Sequence, residues 1–274
     1  YINVVCGMLK ADTLDEIELV DNKDVKQLDD FNKTESPYDS EKTIVARFRE
    51  QAKRNPNNTC LVFKNKKYTY REVDGITDRL ARYLVSHGVK ANSVVAVLIP
   101  RSEHILICSL AVLKAGGGYL PMDATYPPER LNLMANDSGS IMLITTPEFD
   151  RLIDENFKGE RIMLTDFLNA DCRDAKLPVP KKNDLFCMLY TSGSTGLPKG
   201  VIFEHGNSLV TAVWYNNYFK MDDTTRAISY ASYGFDAHVG DLYSPIIAGG
   251  QIHIIAEEMR LDLFAVRDYV NQNK

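Results

Sequence analysis

Apolar runs alternate with longer segments of mixed character along most of the chain. Val94–Pro100 reads VVAVLIP, and Ile141–Thr145 and Leu185–Tyr190 are nearly as apolar. A strand that is covered on both faces reads this way, because neither of its faces meets water. We therefore predict buried strands at these three places. Shorter strands are predicted at 60–63, 68–70, 201–203, 227–231 and 251–256.

The segments between these strands carry apolar residues three or four positions apart, which is the spacing of one helix face. Ser40 is predicted to cap a helix whose inward face carries Ile44, Phe48 and Ala52. Further helices are predicted over a segment that ends at His87-Gly88 and over 102–115, 206–219, 237–248 and 261–273. Because buried strands alternate with helices, the predicted fold class is α/β, with layered, mainly parallel sheets flanked by helices. Ligands of such folds bind at the carboxyl ends of the strands.

The first 36 residues depart from this pattern. Acidic residues are frequent between Thr13 and Phe31, and the apolar residues among them are few. We predict one or two short helices here, followed by a connector that ends at Ser36-Pro37. A solvated linker explains the acidic composition better than a binding tail does. The sequence therefore divides into a leader, residues 1–36, and a main domain, residues 37–274.

Composition and charge narrow the function classes. With 45% hydrophobic residues and a formal net charge of −5, the chain reads as a globular protein without a basic surface for nucleic acid or membrane. The run Ile105–Leu113 falls short of the ~20 apolar residues that a spanning helix needs. Its 5 cysteines are odd in number and show no CxxC spacing, which argues against a disulfide framework and a structural zinc site. A cytoplasmic location is the prediction.

A loop rich in glycine and hydroxyl residues follows the strand Leu185–Tyr190. Glycines let successive backbone N–H groups point into one concavity, hydroxyls add donors, and a lysine adds positive charge, so such a loop suits a polyphosphate. It is not the P-loop of nucleotide triphosphatases, because Pro198 and Gly200 stand where that motif needs Gly and Ser/Thr. A flexible surface loop is the alternative explanation. The candidate phosphate-binding residues are Thr191, Ser192, Gly193, Ser194, Thr195, Gly196 and Lys199.

The ten residues TSGSTGLPKG resemble the phosphate-binding signature of the adenylate-forming enzymes, which include acyl-CoA synthetases, luciferases and nonribosomal peptide synthetase adenylation domains. Two further segments resemble core motifs of that superfamily, namely KYTYRE (67–72) and LKAGGGYLPMD (113–123), and both are expected to be structural. The leader and the residues after it resemble the entry to a peptide synthetase adenylation domain. This resemblance implies that residues 1–36 are a linker and the tail of a preceding condensation-like domain, and that 37–274 is the amino-terminal part of an adenylation domain.

Asp236 is the main candidate for substrate recognition. It lies between a predicted strand and a predicted helix, where an aspartate that caps the helix is an equally good explanation from spacing alone. The resemblance favours binding, because FDAH (235–238) overlies the FDxS motif whose Asp binds the substrate α-amino group in amino-acid-activating members. His238 stands where Ser is usual. The resemblance also places Ala237 and Gly240 on side-chain pocket positions, and two small residues there suggest room for a sizeable substrate side chain.

The resemblance implies ATP-dependent activation of an amino acid as an aminoacyl-adenylate, which then passes to the phosphopantetheine thiol of a carrier protein. Implied cofactors are ATP, Mg²⁺ and phosphopantetheine, and implied partners are an amino acid, a carrier protein and condensation domains. The resemblance stops before the superfamily's magnesium-binding Glu and catalytic Lys, so no catalytic residue and no metal ligand is assigned, and this piece alone is expected to be inactive.

Two other functions remain open from the sequence. One is an acyl- or aryl-CoA ligase of the same superfamily, and the other is a noncatalytic fragment that only binds partners. Asp236 and the leader favour amino-acid activation over the CoA ligase, because a fatty or aryl acid has no ammonium group for the carboxylate. Arg101, which opens a predicted helix, is expected to serve only capping and solubility.

Overall fold

The computed structural model describes residues 2–11, 13, 20, 22–35, 38–192 and 198–273. It divides into two units, Tyr1–Tyr38 and Asp39–Lys274. The first unit contains α1 (Ile2–Met8) and α2 (Asn22–Phe31), and every residue of α2 is exposed. The predicted connector at Ser36-Pro37 lies outside the described residues. The relation of the leader to a condensation domain stays a prediction.

The second unit contains ten strands and ten helices among its described residues. The strands are β1 (Thr59–Phe63), β2 (Lys66–Thr69), β3 (Val94–Leu98), β4 (Gly118–Pro121), β5 (Met142–Thr145), β6 (Glu160–Met163), β7 (Leu185–Thr191), β8 (Lys199–Glu204), β9 (Arg226–Ser229) and β10 (Gln251–Ile254). The helices are α3 (Ile44–Arg54), α4 (Tyr70–Ser86), α5 (His104–Lys114), α6 (Pro128–Asp137), α7 (Pro147–Asp150), α8 (Leu164–Asn169), α9 (His205–Phe219), α10 (Ala237–Ala248), α11 (Glu257–Arg260) and α12 (Leu263–Gln272).

The strands form two sheets. The larger sheet has six strands in the order β6-β5-β3-β4-β7-β8, and all neighbouring pairs are parallel except β7 with β8. The smaller sheet has the order β2-β1-β10-β9, and its one antiparallel pair is the hairpin of β1 with β2. The predicted fold class, α/β with mainly parallel sheets flanked by helices, is confirmed.

Helix α5 is buried in the second unit. All residues of α5 from Ile105 to Lys114 are buried, and β3, which precedes it, is buried at every position. A helix that is apolar all round is stable only where other elements cover it on every side. Helix α5 therefore lies in the interior and packs against α4. No helix among the described residues is long and apolar enough to cross a membrane.

Lys114 is a buried cation in the core. The Nζ atom of Lys114 is 2.5 Å from Oδ1 of Asp74 and 2.8 Å from Oδ1 of Asp78, while Arg49 also reaches Asp78 at 2.9 Å. Burial lowers the pKa of Lys114, and the two carboxylates oppose that effect. The charge is compensated, so α5 and α4 are joined by an internal ion-pair network.

Several predicted boundaries are wrong, among them the starts of two helices. The cap of α3 is Thr43, whose Oγ1 accepts from the Ala46 N–H at 3.2 Å, rather than Ser40. The predicted helix 261–273 begins instead at Leu263, because the Asp262 carboxylate accepts from the N–H groups of Phe264 and Ala265, as an N-cap does.

Candidate active site

The described phosphate-binding candidates lie where the antiparallel strands β7 and β8 end and begin. Strand β7 is buried from Leu185 to Tyr190 and becomes exposed at Thr191, which is the register partner of Lys199 in β8. Thr191, Ser192 and Lys199 are exposed. The candidates Gly193, Ser194, Thr195 and Gly196 lie outside the described residues. The described ends of the loop therefore meet at the carboxyl end of β7. Strand β8 begins at Lys199, two residues before the predicted start at Val201.

Tyr190 anchors the end of β7. Its hydroxyl donates to Oδ2 of Asp137 at 2.6 Å, and its carbonyl accepts from Arg130 at 3.3 Å. The Arg130 guanidinium in turn lies over the Tyr126 ring, 4.0 Å from the ring centroid. Burial and the bond to Asp137 raise the pKa of Tyr190, so the phenol stays a donor. The strand that leads into the loop is thus fixed against α6.

Asp236 lies at the amino terminus of α10, but its side chain does not cap that helix. The side chain is exposed and lines a cavity of about 180 Å³. The other lining residues are Phe203, Ser208, Thr211, Tyr215, Ala237 and Val239. The hydroxyl of Ser208 is buried and has no hydrogen-bond partner among the described residues. The capping explanation of Asp236 is therefore wrong, and its carboxylate is available at the rim of the cavity.

Of the two predicted pocket positions, only Ala237 lines this cavity directly. Gly240 is buried, and the ring of Tyr215 from α9 fills the space next to it. A Cβ atom built on Gly240 would lie 2.7 Å from Cζ of Tyr215. The predicted role of Gly240 as a side-chain pocket position stays a prediction, and the Tyr215 ring lies in the space beside it.

A buried histidine holds the turn that carries Asp236. Nδ1 of His238 lies 2.6 Å from the carbonyl oxygen of Phe235, and Nε2 lies 2.6 Å from the Tyr119 hydroxyl. Burial lowers the pKa of His238 to about 4, so the ring is neutral near pH 7. A carbonyl only accepts, so Nδ1 carries the proton and Nε2 accepts from Tyr119.

Arg101 connects the two sheets at their carboxyl ends, a role that the sequence did not predict. It follows β3 of the larger sheet, yet its guanidinium donates to three carbonyls that follow or end strands of the smaller sheet: Ile255 at 3.0 Å, Ala231 at 2.9 Å, and Ser229. The guanidinium also lies 4.5 Å from the ring centroid of Tyr233. Such contacts produce no sequence motif, because the acceptors are backbone carbonyls, which every residue has.

A second carboxylate supports the same connection from α10. Asp241 accepts from the N–H groups of Tyr230 at 2.9 Å and Ala231 at 2.7 Å. Burial raises the pKa of Asp241, against the lowering effect of these two bonds. The segment between β9 and Asp236 is therefore held by Arg101 through its carbonyls and by Asp241 through its N–H groups.

A further cavity, of about 300 Å³, lies beside this connection and was also not predicted. Arg101, Asp123, Tyr233 and Glu257 contribute its polar lining. Oδ2 of Asp123 accepts from the Ser232 hydroxyl at 2.6 Å. Burial opposes the ionisation of Asp123, but the bonds from Ser232 and Thr125 outweigh it and lower the pKa of the carboxyl. The charged side chains of this cavity already have partners within the protein, so their role is to connect the two sheets.

A family profile with the description "AMP-binding enzyme" matches residues 48–274. The chain belongs to the AMP-binding enzyme family. Its curated relatives include bacitracin synthase 1 of Bacillus licheniformis, which is 36% identical over 267 residues, covering 95% of this chain and 5% of that protein. Tyrocidine synthase 1 of Brevibacillus parabrevis is 33% identical over 262 residues, covering 94% of this chain and 24% of that protein.

Solved structures of nonribosomal peptide synthetases share the fold of this AMP-binding enzyme. The synthetase FmoA3 has a TM-score of 0.81 at 23% identity, covering 98% of this chain and 29% of that chain. The amino-terminal subdomain of Klebsiella oxytoca NpsA, in complex with 3-hydroxyanthranilyl-AMSN, has a TM-score of 0.75 at 23% identity, covering 85% of this chain and 59% of that chain. An artificially fused adenylation-PCP di-domain, NpsA-ThdA from Klebsiella oxytoca, has a TM-score of 0.78 at 22% identity, covering 87% of this chain and 47% of that chain.

These matches confirm the resemblance to nonribosomal peptide synthetase adenylation domains that the TSGSTGLPKG signature predicted. The chain spans only a small part of the curated relatives, 5% of bacitracin synthase 1 and 24% of tyrocidine synthase 1. Within the ranges that the structure describes, no group of three or more His, Cys, Asp or Glu side chains is arranged to hold a metal ion.

Proposed function

We propose that this chain is the amino-terminal part of an adenylation domain that activates an amino acid with ATP, for loading onto a carrier-protein thiol in nonribosomal peptide synthesis. The observation that carries this proposal is the Asp236 carboxylate, which makes no capping bond and lies at the rim of a cavity of about 180 Å³. A carboxylate so placed suits an α-ammonium group, while the side chain of the same amino acid enters the cavity.

The size of the cavity supports a small substrate. Pockets for drug-sized ligands measure roughly 300–1,000 Å³, so about 180 Å³ suits a molecule as small as one amino acid. Phe203, which lines the cavity, lies four residues after Lys199 in β8. At roughly 3.3 Å per residue, these two positions are ~13 Å apart along the strand. The phosphate-binding loop and the substrate cavity would thus lie at two ends of one site.

In the proposed reaction, the substrate carboxylate attacks the α-phosphorus of ATP. A bond forms between the carboxylate oxygen and that phosphorus, the bond to the β-phosphate bridge breaks, and pyrophosphate leaves. The exposed side chains of Thr191, Ser192 and Lys199 would hold the leaving end of the triphosphate by hydrogen bonds and charge. We assign the same role to Gly193, Ser194, Thr195 and Gly196. Asp236 and Ala237 would position the amino acid for attack.

The proposed partners follow from the chemistry of the product. An aminoacyl-adenylate is a reactive mixed anhydride, so a nearby thiol must consume it before water does. We propose the phosphopantetheine thiol of a carrier protein as that acceptor, condensation domains as neighbours in the same cytoplasmic assembly, and residues 1–36 as the linker towards one of them. We also propose that this piece does not catalyse alone, because it spans only 24% of the length of tyrocidine synthase 1.

Amino-acid-dependent exchange of pyrophosphate into ATP tests the proposal, in the protein that carries the complete adenylation domain. Asp236→Asn should raise the KM for the amino acid by ~30-fold or more and leave the KM for ATP nearly unchanged, because truncating one partner of a buried charge pair costs ~2–5 kcal/mol. Asp268→Asn, which removes an exposed charge from α12, is the matched control and should change neither constant. A wild-type preference for acids without an amino group would refute amino-acid activation and support the CoA ligase.

A further inference from the structure

Gly240 of α10 faces an aromatic ring at close range. A Cβ atom built on Gly240 would lie 2.7 Å from Cζ, 2.8 Å from Cε1 and 3.0 Å from Cε2 of Tyr215. Carbon atoms that are not bonded make their best contacts at ~3.5–4.0 Å, so no side chain fits at position 240 unless the ring moves. The glycine therefore permits close approach of the Tyr215 ring.

The same ring forms part of the wall of the cavity beside Asp236. Tyr215 lines that cavity together with Phe203, Val239 and Ala237. Neighbouring rings on α9 support it, because Trp214 meets Tyr215 edge to face with centroids 5.3 Å apart, and Phe219 lies 5.7 Å away. Tyr215 is half-buried between these contacts and α10, so its ring is a braced wall of the cavity.

We propose that Tyr215 is a specificity-determining residue of this site, and that its ring limits the size of the substrate side chain in place of residue 240. The proposal rests on the proposed function, since it takes the cavity beside Asp236 as the place of that side chain. The substrates that fit are amino acids with small or medium side chains, and large aromatic amino acids are excluded by the ring. Removing the ring joins the space next to Gly240 to the cavity.

The first experiment compares three proteins that carry the complete adenylation domain: wild type, Tyr215→Phe and Tyr215→Ala. Pyrophosphate exchange with each of the common amino acids gives kcat/KM values for a full specificity profile. One methylene in an apolar pocket changes kcat/KM by ~10–200-fold, so Tyr215→Ala should raise the ratio of aromatic to preferred substrate at least ~10-fold. Tyr215→Phe keeps the ring and should keep the wild-type profile. The KM for ATP should be unchanged in both variants.

The second experiment places a methyl group at position 240 in two backgrounds. In the wild type, Gly240→Ala must displace the Tyr215 ring, so kcat/KM for the preferred amino acid should fall by ~10-fold, as when a pocket wall shifts by one methylene. In Tyr215→Ala the methyl group meets no ring, and the same substitution should have little effect on kcat/KM. Thermal melting of all four proteins should show the same coupling, with Gly240→Ala more favourable for stability in the Tyr215→Ala background.

The outcomes separate this inference from the proposed function. If the wild type exchanges pyrophosphate with an amino acid but Tyr215→Ala keeps the wild-type order and ratios, the role of Tyr215 is refuted and the proposed function stands. If the wild type responds to no amino acid, both fail. If Tyr215→Ala shows no cooperative melting, Gly240→Ala decides alone, and an unchanged kcat/KM for the preferred amino acid in that variant overturns the inference.

Discussion

The Tyr119 hydroxyl donates to Nε2 of His238 over 2.6 Å, and so connects β4 to the first turn of α10. The other nitrogen of the same ring, Nδ1, donates to the Phe235 carbonyl, also over 2.6 Å. A buried neutral imidazole with both nitrogens bonded has one orientation and one tautomer. The backbone just before Asp236 is therefore tied to the centre of the larger sheet.

Replacing His238 by Ser, the residue usual in related motifs, should loosen this turn. His238→Ser removes the bond to Phe235 and leaves the buried Tyr119 hydroxyl without its acceptor, which costs ~1–3 kcal/mol of unfolding free energy. The KM for the amino acid should rise more than the KM for ATP, because the change lies next to Asp236. Denaturant unfolding and pyrophosphate exchange measure the two effects.

A conservative variant separates positioning from packing. In His238→Asn the side-chain amide nitrogen can take the place of Nδ1 and donate to the Phe235 carbonyl. This variant should recover most of the KM for the amino acid even if its stability stays low. Equal KM values in His238→Ser and wild type would show that the turn does not depend on the imidazole.

Lys199→Ala tests the phosphate-binding loop. Lys199 is exposed at the carboxyl end of β7 and has no carboxylate within ion-pair distance among the described residues, so its charge is available to a ligand. Loss of one preorganised charge contact should slow adenylation by ~10²-fold in kcat. Lys181→Ala is the matched control, because Lys181 is exposed and precedes the opposite end of the same strand. Unchanged exchange in Lys199→Ala would remove the loop from the mechanism.

Much of this fold is readable from the sequence, for a physical reason. Strands β3, β5 and β7 are buried on both faces, so their residues are continuously apolar and their positions nearly match the prediction. Strand β4 was missed because GYLP begins with the last of three consecutive glycines and ends in proline, a composition typical of a turn. The local sequence shows which segments are buried. It does not show which strands pair with one another.

Some residues of the candidate site could likewise be located from the sequence, and others could not. The signature at 191–200 and the FDAH segment are local, so the sequence located them, whereas the roles of Arg101 and Tyr215 depend on partners far along the chain. Arg101 binds carbonyls that any residue provides, 128 to 154 positions away. The contact of Tyr215 with Gly240 joins two helices, and glycine alone suggested empty space. The roles of Arg101 and Tyr215 both depend on contacts between residues that are far apart in the sequence.

Removing Lys114 alone should destabilise the fold strongly, because two carboxylates then lose their buried partner. Lys114→Met keeps the length of the side chain but leaves Asp74 and Asp78 without their buried partner. Breaking a buried pair costs ~3–5 kcal/mol, and the lower end applies because both carboxylates are partly exposed. The triple variant Lys114→Met, Asp74→Asn, Asp78→Asn should recover most of this loss in denaturant unfolding. A Lys114→Met protein as stable as the wild type would contradict the role of the network.

Acid should destabilise the fold in a pH range set by buried histidines. Burial lowers the pKa of His205 and of His238 from 6.5 to about 4, and both rings are neutral in the folded state near pH 7. Because the unfolded state binds these protons first, their contribution to stability is complete above pH 6.5 and is lost as the pH falls towards 4. Each histidine should cost on the order of 2 kcal/mol between pH 6.5 and 4.5. His104 and His253, whose pKa values are also lowered by burial, add to the same slope.

The carboxylates act in a different range, so the two effects can be separated. The pKa values of Asp78, Glu103 and Asp123 are lowered from 3.8, 4.5 and 3.8, and their contribution is lost only below about pH 4.5. Unfolding free energies measured from pH 7 to 4.5 in the wild type and in His205→Phe with His238→Asn should therefore isolate the histidines. The double variant should have lower stability at pH 7 but a much flatter dependence on pH, because it no longer carries the two most shifted imidazoles. An equally steep slope in both proteins would mean that neither ring is protonated on unfolding, and that their burial does not control the acid sensitivity of the fold.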